Sequence, residues 1–150
     1  MSDSEKEMVA FRVGTQEYCV HITSVREIRG WTAETVLPMA PDYVRGVINL
    51  RGSVVPIVDL AARLGLPAVE PTARNVIIIF WVNEQVVGFV VDAVSDIMMA
   101  KTDDIQPTPD VASDAARKFV HGVIAIEDRM INLIGLDNIL PVGTMEAVAA

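Results

Sequence analysis

Apolar and polar residues alternate along short segments of the chain. Val9, Phe11 and Val13 alternate with Ala10 and Arg12, and the alternation resumes at residues 18–22 after a turn. A period of two is typical of a half-buried strand, and a turn between two such segments predicts a hairpin. The same pattern predicts further hairpins over residues 46–60, 76–91 and 122–134. The chain is therefore predicted to be mainly β.

Short helical segments are predicted between the hairpins, over residues 24–27, 60–64 and 136–140. The first has a capping-box pattern from Ser24 to Glu27, the second is closed by Gly65 and the third is stopped by Pro141. Residues 67–72 contain two prolines and no periodicity, which predicts a linker, and residues 103–114 are predicted to form a long loop.

The order of elements after the linker repeats the order before it. Residues 11–28 align without gaps on residues 80–97, and residues 44–64 align on residues 120–140. Phe11, Val13, Gly46 and Ile48 have identical counterparts in the second half. This favours an internal duplication, although a coincidence of apolar strands would explain part of the match. Each half suffices for a small barrel of about five strands, and closure removes exposed sheet edges.

The predicted organisation is a flexible tail over residues 1–7, one domain over residues 8–142 and a second tail over residues 143–150. The two repeats cover residues 9–65 and 74–141. Charged residues and missing periodicity distinguish the tails from the domain. The domain is thus expected to contain two barrel subdomains.

The composition indicates a cytoplasmic globular protein. Hydrophobic residues make up 51% of the chain, but no apolar run approaches the ~20 residues of a membrane-spanning helix. The acidic start has no apolar core, so no signal peptide is expected. The net charge of −8 argues against nucleic acid or an anionic membrane as the partner. The single cysteine excludes an internal disulfide and a Cys-based zinc site.

Few residues are arranged for catalysis. Cys19 and His21 lie two apart on a predicted strand, so a thiol–imidazole pair is the one nucleophilic arrangement to consider. His121 has no second ligand at a suitable spacing, and Asp92 and Asp96 are typical turn or cap residues. We therefore predict no cofactor, no metal and no enzymatic activity.

The turn of the second hairpin carries Arg51 followed by Gly52, and the equivalent turn in the duplicate half carries Glu127 and Asp128. A guanidinium at a hairpin tip can reach a carboxylate of a partner protein. An ordinary solvated arginine would have the same spacing. Similar cores with opposite charges at the tips suggest that the two surfaces diverged while the fold was kept.

Three stretches, residues 45–60, 86–97 and 25–30, closely resemble the motifs of CheW-like domains. The resemblance covers residues 9–141, with the motifs in the expected order. It implies two five-stranded β-barrels of SH3-like or OB-like topology around a shared interior, with strands exchanged between the repeats. The absence of kinase or receiver sequence predicts a stand-alone chemotaxis adaptor.

The resemblance also implies partners, namely the histidine kinase CheA and the cytoplasmic tip of methyl-accepting chemotaxis receptors at membrane-associated arrays. Matching positions imply a receptor-binding set of Val25, Glu27, Ile28, Arg51, Val76, Val87 and Ile97. A kinase-binding set is predicted at Glu127, Asp128, Asp96 and Met98. The alternatives are a β-barrel module for another protein, a sugar or a nucleic acid, and a small hydrolase using Cys19 and His21.

Overall fold

The computed structural model describes residues 5–67, 72–82, 84–108 and 118–136, which include eleven strands and a short α-helix. The first half contains β1 (Glu5–Val13), β2 (Gln16–His21), β3 (Val25–Gly30), β4 (Val44–Leu50), β5 (Ser53–Asp59) and α1 (Leu60–Arg63). The second half contains β6 (Val76–Val82), β7 (Gln85–Val91), β8 (Ala93–Lys101), β9 (Ile105–Gln106), β10 (Val120–Ile126) and β11 (Arg129–Ile134). Short 3-10 turns occupy Ile22–Ser24 and Thr102–Asp104. The mainly β prediction with short helices is confirmed.

The strands form two sheets, and each sheet contains strands from both repeats. Sheet A has the order β8-β1-β2-β11-β10-β9, and sheet B has the order β3-β6-β7-β5-β4. The β1–β2 hairpin of the first repeat thus lies in sheet A, together with β8 to β11 of the second repeat. The β6–β7 hairpin of the second repeat lies in sheet B, together with β3, β4 and β5 of the first repeat. Strands β5 and β7 pair in parallel, and so do β11 and β2. The two repeats are therefore interleaved, and neither sheet corresponds to one half of the sequence.

The duplication extends to details of the backbone. The β4–β5 pairing shifts register between Val44 and Gly46, and the β10–β11 pairing shifts between the equivalent Val120 and Gly122. The two hairpin tips also match, since Arg51 has φ 52° and Glu127 has φ 54°. Left-handed backbone at non-glycine residues is uncommon, so its recurrence at equivalent positions supports a common origin for the two halves.

The pairing leaves both sheets open, so the prediction of two closed barrels is wrong in that respect. The chain that leaves β3 reaches the free edge of β4, where Thr35 N–H donates to Val47 O at 2.8 Å and Val47 N–H donates to Thr35 O at 2.9 Å. In sheet A, β9 pairs with β10 at the equivalent edge. Barrel closure requires a particular tilt and stagger, and short segments occupy these edges instead.

The core has two parts. The larger cluster joins residues of both sheets, among them Phe11, Val20, Phe80, Phe89 and Ile134. The smaller cluster fills the other side of sheet A with Met8, Ala10, Cys19, Met98, Ala100, Ile124, Ile131 and Leu133. Strand β1 contributes alternate residues to each cluster and is therefore buried on both faces. The larger cluster connects the two sheets into one interior.

Several local predictions differ from the structure. Residues 25–30 form strand β3 rather than a helical turn, because they pair with β6, and the 3-10 turn lies one step earlier at Ile22–Ser24. Residues 5–7, assigned to the flexible tail, belong to β1 and pair with β8. The predicted helix at residues 60–64 is confirmed as α1, whose N-cap Asp59 accepts a hydrogen bond from Ala62 N–H at 3.1 Å.

Some predictions lie wholly or partly outside the described residues. These are the linker at 68–71, the loop at 109–114, the helix at 137–140 and the tails over residues 1–4 and 143–150.

Candidate functional site: two hairpin tips and two edge strands

Four residues of the receptor-binding set share one face of sheet B. Val25 lies opposite Phe80, which in turn lies opposite Val87, and the same register brings Ile28 and Val76 to that face. Directly opposed residues in an antiparallel pair point to the same side of the sheet. Ile28 is 44% exposed and Val25 and Val76 are half-buried. Ile28 is therefore the residue of this face best placed to contact a partner.

Val87 disagrees with its predicted role. It lies on the same face as Ile28 and Val25, but its side chain is fully buried in the larger core cluster. A partner cannot contact it without opening the core, so its contribution is to support the neighbouring strands. Sequence matching identified the sheet face correctly, but it could not distinguish an exposed residue such as Ile28 from a buried one such as Val87.

Ile97 lies on sheet A, at the position of the second repeat that corresponds to Ile28. It faces Val9 across the β1–β8 pair and is 57% exposed. Val9 and Ile78, the partners of these two isoleucines, both belong to the core cluster shared by the sheets. The edge strands β3 and β8 thus each leave one isoleucine partly exposed beside the shared interior.

Arg51 forms an ion pair with Glu27, although β3 and the β4–β5 hairpin lie at opposite ends of the strand order of sheet B. Arg51 Nη2 lies 2.5 Å from Glu27 Oε1, and Arg29 Nη1 lies 3.4 Å from Glu27 Oε2. The hydrogen bond from Arg51 is the main cause that lowers the pKa of Glu27, so this carboxylate stays ionised at neutral pH. Arg51 itself is 66% exposed and retains further donors for a partner.

The local backbone presents Arg51 to solvent. Arg51 lies at the tip with positive φ, followed by Gly52 with φ 89°. Gly52 N–H donates to Asn49 Oδ1 at 2.8 Å. Because Asn49 belongs to β4, this hydrogen bond stabilises the turn between β4 and β5. The asparagine–glycine spacing is a common device of tight turns. It holds the arginine at the tip, as the sequence predicted.

Sheet A carries a related cluster in which Arg129 pairs with two carboxylates. Its Nε and Nη2 donate to the two oxygens of Glu17 at 3.0 and 2.6 Å, and its Nη1 and Nη2 donate to Asp96 at 3.1 and 3.0 Å. Asp96 is the repeat counterpart of Glu27. Hydrogen bonds from Arg129 lower the pKa values of Glu17 and Asp96, and those carboxylates raise the pKa of Arg129.

The four residues of the predicted kinase-binding set have different surroundings. Glu127 and Asp128 are exposed at the β10–β11 tip. Asp96 is committed to Arg129, and Met98 is buried in the smaller core cluster. Met98 is thus not accessible for a partner contact, because alternation along β8 turns it toward the smaller core cluster. Ile97 lies on the opposite face of β8 and is 57% exposed. Glu127 and Asp128 remain as the accessible acidic pair.

Sequence reasoning missed the Arg129 cluster. Its members lie on β2, β8 and β11, far apart in sequence, and only the pairing of those strands brings them together. The one local signal was the arginine directly after the acidic tip residues.

The thiol–imidazole arrangement has no catalytic use. Cys19 is fully buried in the smaller core cluster, and desolvation raises the pKa of its thiol to about 12. The thiolate is the nucleophilic form, and it is not accessible at neutral pH. Desolvation also lowers the pKa of His21. Within the described residues no group of acidic, His or Cys side chains has the geometry to hold a metal ion, and no helix is long and apolar enough to cross a membrane.

We expect Cys19 to resist thiol reagents in the folded protein. A chromogenic disulfide reagent added at neutral pH should modify it only after denaturant unfolds the chain, because both burial and the raised thiol pKa suppress reaction. The comparison is the rate of modification with and without denaturant. Rapid modification of the native protein would contradict the assignment of Cys19 to the core.

Within the described residues, two interleaved sheets present hairpin tips of opposite charge. The model of the CheW-like domain family matches residues 7–142. The chain therefore belongs to the CheW-like domain family. Members of this family are scaffold or adaptor proteins, and this chain is accordingly an adaptor and not an enzyme.

Individual relatives agree with this assignment. The chain is 58% identical to "Chemotaxis protein CheW" of Rhizobium meliloti (strain 1021), over 98% of the chain and 95% of that protein. It is 36% identical to "Chemotaxis protein CheW" of Klebsiella aerogenes, over 90% of the chain and 81% of that protein. The crystal structure of the scaffolding protein TtCheW from Thermoanaerobacter tengcongensis superimposes with a TM-score of 0.85 at 30% identity, covering 94% of this chain and 96% of that one.

Proposed function

We propose that the chain couples methyl-accepting chemotaxis receptors to the histidine kinase CheA. The observation that carries the proposal is the exposed Arg51, held at a hairpin tip and paired with Glu27 on the strand that also presents Ile28. Relatives named as chemotaxis proteins over nearly their full length support this pathway. In this role the protein acts in the cytoplasm, at receptor arrays beside the membrane.

The receptor-binding surface consists of Val25, Glu27, Ile28, Arg51, Val76 and Ile97. The exposed parts of Ile28 and Ile97 supply apolar contact area, and Arg51 supplies a directional charged contact. Glu27 has a positioning role, since its carboxylate accepts from Arg51 and limits the directions in which the guanidinium can point. Few residues of an interface contribute most of the binding energy, and arginine is enriched among them.

We place the kinase-binding surface at the β10–β11 tip. Glu127 and Asp128 are exposed there, and Arg129 anchors the start of β11 to both β2 and β8. The two equivalent hairpin tips therefore differ in charge while their backbones match. Opposite charges on matching tips favour different partners, since like charges across an interface are repelled.

An adaptor of this kind catalyses no reaction. It holds the receptor tip and the kinase in one relative geometry, so a change in the receptor shifts the population of active and inactive kinase. Such a shift requires that the two partners bind different surfaces of one continuous body. The core cluster shared by sheets A and B provides that continuity.

Co-sedimentation with receptor-containing membranes and with purified CheA tests the proposal. An Arg51→Glu variant should bind receptor about 30-fold more weakly, as expected for loss of an interface hot spot, and should keep its affinity for CheA. A Glu127→Lys, Asp128→Lys double variant should show the opposite pattern. Circular dichroism confirms that each variant is folded.

Arg74→Glu is the matched control, because it reverses another exposed arginine and should leave both affinities unchanged. A charge swap that combines Arg51→Glu with Glu27→Arg separates two roles of the arginine. If the swap restored receptor binding, the ion pair rather than a direct contact by Arg51 would matter. Receptor binding by Arg51→Glu at wild-type strength would contradict the role of this residue.

A further inference from the structure

Arg63 lies between two aromatic rings that belong to different sheets. It is the last residue of α1, and its guanidinium carbon lies 4.7 Å from the ring centre of Tyr43 and 4.5 Å from that of Phe119. Tyr43 directly precedes β4 of sheet B, and Phe119 directly precedes β10 of sheet A. Both distances are within the range of cation–π contacts. One side chain thus contacts the residue that precedes a strand of each sheet.

The two rings occupy equivalent positions of the internal duplication. The carbonyl of Tyr43 accepts from Asp59 N–H at 2.7 Å, and the carbonyl of Phe119 accepts from Gly135 N–H at 2.8 Å. Asp59 and Gly135 are themselves equivalent, so each ring is fixed to its own hairpin by the same backbone contact. Arg63 therefore connects the same point of sheet A and of sheet B.

Apolar packing alone does not determine a relative orientation well. Burial of apolar area is non-directional, and the cluster shared by the sheets consists largely of aliphatic residues. A planar guanidinium over an aromatic face is directional, and contacts with two rings constrain it further than one contact would. Phe119 is only 2% exposed, so its contact with Arg63 is shielded from water. Desolvation strengthens cation–π contacts.

We propose that Arg63 is a positioning residue that sets the orientation of sheet A relative to sheet B. If the chain has the proposed function, Arg63 also keeps the receptor-binding surface at Arg51 and the kinase-binding surface at Glu127 in a fixed relative orientation. Only this effect on the two binding surfaces rests on the proposed function. The orientation itself is a property of the isolated protein. It can be measured without a receptor or a kinase.

Paired spin labels measure the orientation directly. Val54 of sheet B and Met130 of sheet A are equivalent positions, 70% and 62% exposed, and each can be replaced by a labelled cysteine. The native Cys19 is fully buried and should stay unlabelled. We expect a narrow distance distribution between the labels in the otherwise native chain. In Arg63→Met the distribution should broaden or move, because the side chain keeps its length but loses the planar cation.

Lys118→Met is the matched control. Lys118 Nζ lies 5.6 Å from the centre of the same Phe119 ring, but Lys118 directly precedes Phe119 in the chain, so this contact does not join the two sheets. This variant should leave the label distribution unchanged. Arg63→Lys should give a distribution between those of the native chain and Arg63→Met, since a lysine retains charge without a planar stacking surface.

Stability is a second measurement. Loss of two ring contacts should lower the folding equilibrium constant by roughly 5- to 30-fold, which denaturant titration can detect. If Arg63→Met fails to fold, Tyr43→Leu removes one of the two rings and provides the same distance test. An unchanged distribution in a folded Arg63 or Tyr43 variant would overturn the proposal. A native chain that failed to bind receptor would contradict the proposed function and leave this inference intact.

Discussion

Gly46→Ala should lower the free energy of unfolding by about 3–5 kcal/mol, because two separate penalties act at this residue. Gly46 has φ 151°, a conformation that L side chains rarely adopt. An added Cβ would also collide with the Thr35 carbonyl, coming within 2.8 Å of its carbon. The backbone of Thr35 is hydrogen-bonded to Val47 in both directions and cannot retreat without breaking that bridge. Chemical denaturation followed by circular dichroism measures the loss.

Two other glycines separate the penalties. Gly30→Ala on β3 has open space around the added Cβ and no positive φ, so stability should hardly change. Gly52→Ala also has open space but φ 89°, so it reports the backbone penalty alone. We expect the order of destabilisation Gly46, Gly52, Gly30. An effect of Gly46→Ala no larger than that of Gly52→Ala would mean that the segment around Thr35 yields easily.

Hairpins were the predictable part of this fold. The period-2 pattern and the intervening turns are local signals, so β1–β2, β4–β5, β6–β7 and β10–β11 followed from the sequence. Strands β3 and β8 did not, because each has polar residues on its solvent side and pairs with a strand of the other repeat. Ser24 and Glu27 fit a capping box locally, but pairing with β6 outweighed that tendency.

Alternation also could not decide whether the sheets close. Alternation shows which side of a strand is buried, but it does not show which segment pairs with the strand at a sheet edge. In this structure Thr35 pairs with β4, and the short strand β9 pairs with β10. Closed barrels were therefore predicted where the structure has two open sheets.

The candidate site was predictable where it depends on a single turn. Arg51 and Glu127 lie at hairpin tips, as the turn residues indicated. Burial depends on tertiary packing, so the sequence did not show that Val87 and Met98, which were predicted at binding surfaces, are buried in the core. The carboxylate partners of Arg51 and Arg129 could not be predicted either, because both ion pairs join segments that are distant in sequence. Positions of charge at turns could be predicted from the sequence, whereas the contacts that orient those charges could not.

Arg129→Met should destabilise the protein by about 1–3 kcal/mol at neutral pH, since Arg129 makes charge-assisted hydrogen bonds to two carboxylates. These contacts are partly shielded, as Arg129 is 31% exposed. Its removal leaves Glu17 and Asp96 without the shared cation, so two negative groups remain near each other. Arg51→Met is the matched comparison, and its effect should be smaller because Arg51 is mostly exposed and pairs with one carboxylate.

The dependence on pH distinguishes the lost ion pairs from lost packing. In the native protein Arg129 holds the pKa values of Glu17 and Asp96 below their ordinary values of 4.5 and 3.8. A carboxyl with a lowered folded pKa contributes stability that is complete above the ordinary value and is lost as pH falls through the folded value. Without Arg129 this contribution is absent at every pH.

The difference in unfolding free energy between native protein and Arg129→Met should therefore be largest near neutral pH and shrink on acidification. Urea titrations at about pH 7 and about pH 3.5 measure it, since the second value lies below both ordinary carboxyl pKa values. A packing defect would give the same difference at both pH values, because burial of a methylene stem does not depend on protonation. A constant difference would show that Arg129 stabilises the β10–β11 tip through its apolar stem rather than through Glu17 and Asp96.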